Sequence, residues 1–125
     1  MSYYSFEDLE VWKRACKLAV QMYDILKDCR DYSLKDQITR SAVSIASNIA
    51  EGAERDSKLE FIRFLHIAKG SAAELRTQIY IAAQIGILKE EIKNEVVEEL
   101  ITISKQLQSL IKYLKSKTLH LKPKT

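Results

Sequence analysis

The sequence predicts an all-α fold, an antiparallel up-down-up-down four-helix bundle. Three observations carry that prediction. Breakers are scarce: 3 glycines and 1 proline in 125 residues favour long helices with short links and disfavour a many-turned β fold. Apolar residues recur at steps of three and four along most of the chain, the repeat of a helix face. The breaks in that repeat coincide with residues that start or stop helices. A chain of this length supplies one modest core, so a single domain over residues 1–125 is expected.

The first helix is expected over about residues 6–28, with Ser5 as its cap and Asp8 three residues on. It carries two apolar stripes. Leu9, Trp12, Cys16, Ala19, Tyr23 and Leu26 form one, and Val11, Ala15, Leu18, Met22 and Ile25 the other. Together they make the helix apolar over nearly half its circumference. That width suits either a subunit interface or a tightly surrounded core helix.

The second helix is expected over about residues 33–51, opened by Ser33 with Asp36 and closed by Gly52 in a left-handed cap. Its stripe is Ile38, Ala42, Ile45 and Ile49. Ser57 with Glu60 forms a capping box for the third helix, about residues 57–85, which Gly86 ends. Phe61, Leu65, Ala68, Ala72, Leu75, Ile79 and Ala82 line its core side, while Ile67 and Ile81 point away from it. The fourth helix is expected over about residues 89–117, with the heptad Ile92, Val96, Leu100, Ile103, Leu107, Leu110 and Leu114. A polar tail, residues 118–125 with Pro123, follows.

Several function classes are disfavoured. No apolar run reaches the roughly 18 residues of a membrane span. The opening MSYYSFEDLE has neither the basic nor the apolar region of a secretory signal. Cys16 and Cys29 lack metal or redox spacing, and a reducing cytoplasm is the expected setting. His66 and His120 have no ligand-type neighbour at i+3 or i+4. Ala68–Lys69–Gly70–Ser71 lacks the earlier glycine of a phosphate loop. Glu90, Glu91, Glu95, Glu98 and Glu99 form a solvated acidic face without the Glu-x-x-His of di-iron bundles. No catalytic residue, metal or cofactor is expected, and the chain reads as a non-enzyme.

The run from Gln37 to Leu75 holds the most specific pattern. It contains Gln37–Ile38–Thr39–Arg40, Ser44–Ile45, Ser47–Asn48–Ile49–Ala50–Glu51–Gly52 and Arg55, then Glu60–Phe61, Phe64–Leu65, Ala68, Gly70–Ser71 and Glu74–Leu75. With Phe6, Leu9 and Trp12 ahead of it, this pattern resembles the bacterial four-helix-bundle proteins also called 23S rRNA intervening-sequence proteins. The resemblance extends to Leu88. It departs at Asp28–Cys29–Arg30–Asp31, where the family usually carries a proline and an acidic residue. The resemblance implies a four-helix bundle assembled as a homopentamer. A related branch, the accessory proteins of diversity-generating retroelements, binds nucleic acid and a reverse transcriptase through a basic surface. For most members of the family no function is established.

The motif residues also have a reading of their own. Asn48 lies one turn from Ser44 near the apolar stripe, so it needs partners and can fix helix register or bond a neighbouring backbone. Glu51 can reach Arg55 across the break or Arg40 from the other side. Gly70 belongs to a small-residue patch that would admit a close helix. Arg40, Ser44, Asn48, Glu51, Gly52, Arg55 and Gly70 are thus expected to be structural, with a polar ligand or partner site at the turn between the second and third helices as the alternative.

Charge points to a partner class. The net charge is +3, yet after Glu99 no acidic residue occurs, and Lys105, Lys112, Lys115, Lys117, Lys122 and Lys124 put +6 there. Lys58, Lys69 and Arg76 share one edge of the third helix. Candidate contacts to RNA or DNA phosphates are therefore Lys58, Lys69, Arg76, Lys112, Lys115 and Lys117. A plainer reading places lysines at a helix C-terminus for the macrodipole and for solubility. Two roles stay open: an oligomer binding nucleic acid without sequence preference, and a scaffold for a protein partner such as a polymerase.

Overall fold

The computed structural model describes residues 5–121, and among these there are helices and no strands. A 3-10 turn at Phe6–Asp8 precedes α1 (Glu10–Ile25), α2 (Tyr32–Ala53), α3 (Lys58–Gln84) and α4 (Glu90–Leu121). Short links make successive helices antiparallel, giving the up-down-up-down bundle. α2 and α3 share the largest contact, α3 and α4 the next, and α1 leans on α2 while barely touching α4. Lys122, Pro123, Lys124 and the side chain of His120 lie outside the described residues.

The helix ends differ from the sequence reading. α1 stops at Ile25 rather than near residue 28, and α4 runs on to Leu121 through positions expected in the tail. Three further differences lie at caps and breaks. The first helix does not run unbroken from residue 6. Ser5 caps only the 3-10 turn, its Oγ accepting from the Glu7 amide at 3.1 Å. Leu9 is then extended (φ −75°, ψ 124°) before α1 begins. This detour sets Phe6 edge-on to Trp12 with ring centroids 5.3 Å apart, a contact that a continuous helix, with the two residues about 240° apart, would not allow. Second, Asp31 rather than Ser33 caps α2, its Oδ1 accepting from the Leu34 amide at 3.1 Å. Aspartate serves that position as well as serine does. Third, α2 runs through Gly52 to Ala53, so Gly52 is not a left-handed cap.

The start and end of α3 match their sequence signals. Ser57 Oγ accepts from the Glu60 amide at 3.0 Å. Gly86, at φ +83°, donates to the Ala83 carbonyl at 3.1 Å, and Ile87 donates to the Ala82 carbonyl at 2.9 Å. This paired ending satisfies the last carbonyls and turns the chain so that Leu88 enters the core.

Leu18, Met22, Ile38, Ile45, Ile49, Leu65, Leu75, Ile79, Leu100, Ile103 and Leu107 are fully buried and form the core. In α4 the heptad slips. Ile111 is wholly buried, whereas Leu110 is only partly so. A straight helix drifts about 20° per heptad, so the core position moves one residue on after Leu107. Some of the extra apolar positions stay outside: Tyr23, Val43, Ile67 and Ile81 are exposed, and so is Val20.

Candidate nucleic-acid interface

Two features are built at the α2–α3 end and along the α3–α4 edge. The first is the motif region. Ser44 on α2 faces Ser71 on α3, their hydroxyl oxygens 2.9 Å apart. Asn48 Nδ2 donates to the Ser44 carbonyl at 2.8 Å and to Ser44 Oγ at 2.9 Å. With Ser44 Oγ accepting from Asn48, its own proton is free to bond Ser71. The small hydroxyls let the two helices approach, and the amide consumes the polarity that their burial leaves. Asn48 therefore bonds its own helix rather than a neighbouring backbone.

Gly52 sits against the start of α3. A Cβ there would lie 2.6 Å from Phe64 Cβ and 3.1 Å from Phe61 Cδ1, so the position requires a hydrogen. Phe64 is buried beneath two guanidinium groups, Arg55 at 4.8 Å and Arg63 at 4.7 Å from the ring centre. Each arginine also has a carboxylate: Arg55 binds Glu51 at 2.9 Å, and Arg63 binds Glu60 at 3.2 Å. The hydrogen bond from Arg63 holds the Glu60 carboxyl below the usual carboxylate range, and Glu60 raises Arg63 in return. Arg40 lies apart, paired with Asp36 at 3.1 Å. Gly70 meets no atom within 4 Å of its Cβ position, so no helix of this chain presses on it. That corrects the expectation of close packing there: Ser71 and Ala72 face inward, while Gly70 and Ala73 face out.

The second feature is basic. Lys69 Nζ donates to Gln108 Oε1 at 2.6 Å, which fixes that face of α3 against α4. Lys58 and Arg76 lie within about 20° of Lys69 around α3 at 100° per residue. Lys112 and Lys115 follow Gln108 on α4 at helical spacing and are exposed. Five of the six candidate cations thus lie along one edge. Lys117 points elsewhere, about 200° round from Lys115, and its Nζ stands 5.8 Å from the ring centre of Tyr113. Among the described residues none of these six forms a salt bridge, in contrast to Arg14, Arg40, Arg55 and Arg63.

Arg63 and Tyr113 are not singled out by the sequence reading, and Phe64 enters it only as part of the family pattern. The i,i+3 spacing of Glu60 with Arg63 and the i,i+4 spacing of Tyr113 with Lys117 were the available signals. The described residues hold no group of three His, Cys, Asp or Glu placed to bind a metal, and no helix among them is long and apolar enough to cross a membrane. A shallow cleft of about 790 Å³ lies between α1 and α4, lined by charged residues of both signs around Arg14 and Glu99.

A family model described as 23S rRNA-intervening sequence protein matches residues 7–109. The crystal structure of a protein of unknown function from the S23 ribosomal protein family of Bacteroides thetaiotaomicron is similar in fold, with a TM-score of 0.77. The two sequences are 27% identical over 82% of this chain and 98% of that one. No curated protein matches.

Proposed function

The chain belongs to the 23S rRNA-intervening sequence protein family, and from that premise we propose that it is a non-enzymatic, cytoplasmic, oligomeric helical bundle that binds nucleic acid without sequence preference. One observation supports this most. Arg14, Arg40, Arg55 and Arg63 are each paired with a carboxylate, whereas Lys58, Lys69, Arg76, Lys112 and Lys115 share an edge and have none among the described residues. Uncompensated cations at helical spacing are what phosphates reward, through release of counterions.

The test is anisotropy of a labelled RNA duplex titrated with protein at several salt concentrations. The logarithm of the affinity should fall linearly with the logarithm of salt. Converting Lys69, Lys112 and Lys115 to glutamine together should flatten that slope by about 0.7–0.9 per lost contact. An affinity indifferent to salt, or none at low ionic strength, would sink the proposal.

A second reading, a scaffold for a protein partner, is supported by the exposed apolar side chains Val20, Tyr23, Val43, Ile67 and Ile81. Copies of the chain would cover such faces first, and the pentamer expected from the family resemblance is tested by light scattering. A monomeric mass would remove that assembly.

A further inference from the structure

Two exposed tyrosines of this bundle lie beside lysines, and they differ in one respect. Tyr80 on α3 stands 5.3 Å from Lys93 Nζ, and Lys93 is already bound to Glu90 at 2.8 Å. Tyr113 on α4 stands 5.8 Å from Lys117 Nζ, and Lys117 has no carboxylate among the described residues. The first pair is electrically closed. The second keeps its positive charge, and no acidic residue follows Glu99 anywhere in the chain.

The surroundings of Tyr113 follow from how α1 and α4 meet. α1 begins at Glu10, and its first residues, with Leu9, line a groove with Thr102, Lys105, Gln106, Ser109 and Leu110. α4 continues three turns beyond Ser109, past the start of α1. Tyr113 is therefore 57% exposed, on the part of α4 that α1 does not shield. Lys112 precedes it and leads to the basic α3–α4 edge, while Lys117 lies one turn beyond it.

We infer that Tyr113 is a stacking platform for an unpaired base of a single-stranded polynucleotide, with Lys117 beside the ring and the adjacent Lys112 holding the flanking phosphates. The inference deepens the proposed function and rests on it. An exposed aromatic ring with an uncompensated cation beside it, and a second on the next residue, suits an unpaired base and its flanking phosphates. A duplex offers the same phosphates but keeps its bases in the stack, so Tyr113 adds nothing to duplex binding. Stacking and phosphate contacts do not sense the 2′-hydroxyl, so RNA and DNA single strands are equivalent ligands.

The test compares a labelled 20-nucleotide single strand of mixed sequence, as RNA and as DNA, with the duplex of the same sequence. The proteins are the full chain and the variants Tyr113→Ala, Tyr113→Phe and Tyr80→Ala, each checked for helix content and melting temperature. Tyr113→Ala should weaken single-strand binding about tenfold and leave duplex binding unchanged. Tyr113→Phe should bind like the parent chain, because the ring carries the contact, and so should Tyr80→Ala. Binding quenches the emission of a tyrosine that is stacked, and Tyr113→Ala should abolish that quenching. If Tyr113→Ala binds single strands as the parent does while the salt-dependent duplex binding persists, the platform is wrong and the electrostatic reading stands. If the parent chain retains neither strand form at low salt, both fall.

Discussion

The guanidinium of Arg14 grips both carboxylate oxygens of Glu99, 85 residues away, at 2.9 and 3.0 Å. This fork joins α1 to α4, the two neighbouring helices that touch least. Glu99 raises the pKa of Arg14, first through the hydrogen bond and then through its charge. The pair supplies a directional link where apolar contact is thin.

Glu99→Gln should therefore lower the melting temperature by a few degrees, and Arg14→Lys should not substitute, because an ammonium cannot form the fork. The double variant should melt no lower than the worse single one. A double-variant effect equal to the sum of the two would show that the residues act independently.

The three glycines should respond to alanine in three ways. Gly52→Ala forces a methyl to within 2.6 Å of Phe64 Cβ and should cost about 1–3 kcal/mol. Gly86→Ala strains a residue at φ +83° and should cost about 1–2 kcal/mol. Gly70→Ala meets open space within α3 and should stabilise by about 0.5–1 kcal/mol. Urea unfolding of the three variants checks the order, which reverses if Gly70 is a contact point within the folded chain.

Asn48 and Ser44 should behave as a unit. Asn48→Ala removes two hydrogen bonds and should cost about 1 kcal/mol. Asn48→Asp is nearly the same size but points an acceptor at the Ser44 carbonyl, so it should cost more at neutral pH. Equal melting temperatures for the two variants would mean that the bonds to Ser44 contribute little.

The Glu60–Arg63 pair should leave a signature in acid. A carboxyl whose folded pKa is depressed stabilises above its unfolded pKa, and that contribution disappears as pH falls through the folded value. The melting temperature of the parent chain should exceed that of Glu60→Gln near neutrality. The gap should close as the pH drops below the ordinary carboxylate range. A gap that is constant with pH would assign the effect to something other than ionisation.

Much of this architecture was legible in the chain. The Ser57 cap, the Gly86 stop and the stripes Ile38–Ile49 and Leu65–Ile79 are local patterns, and each matches the fold. The motif residues were legible as a group but not in their roles. Ser44 could be placed near Asn48, yet its bond to Ser71, 27 residues on, depends on how α2 meets α3. The basic edge was half legible. Lys58, Lys69 and Arg76 align on one helix by spacing alone, whereas their alignment with Lys112 and Lys115 needed the Lys69–Gln108 contact.

Helix identity, capping and the segregation of charge toward the end of α4 were readable because they act over one or two turns, within reach of side chains a few residues apart. The break at Leu9, the hydrogen required at Gly52, the fork between Arg14 and Glu99 and the exposure of Tyr113 were not. Each depends on where one helix ends against another, and that is set by the close packing of side chains distant in sequence.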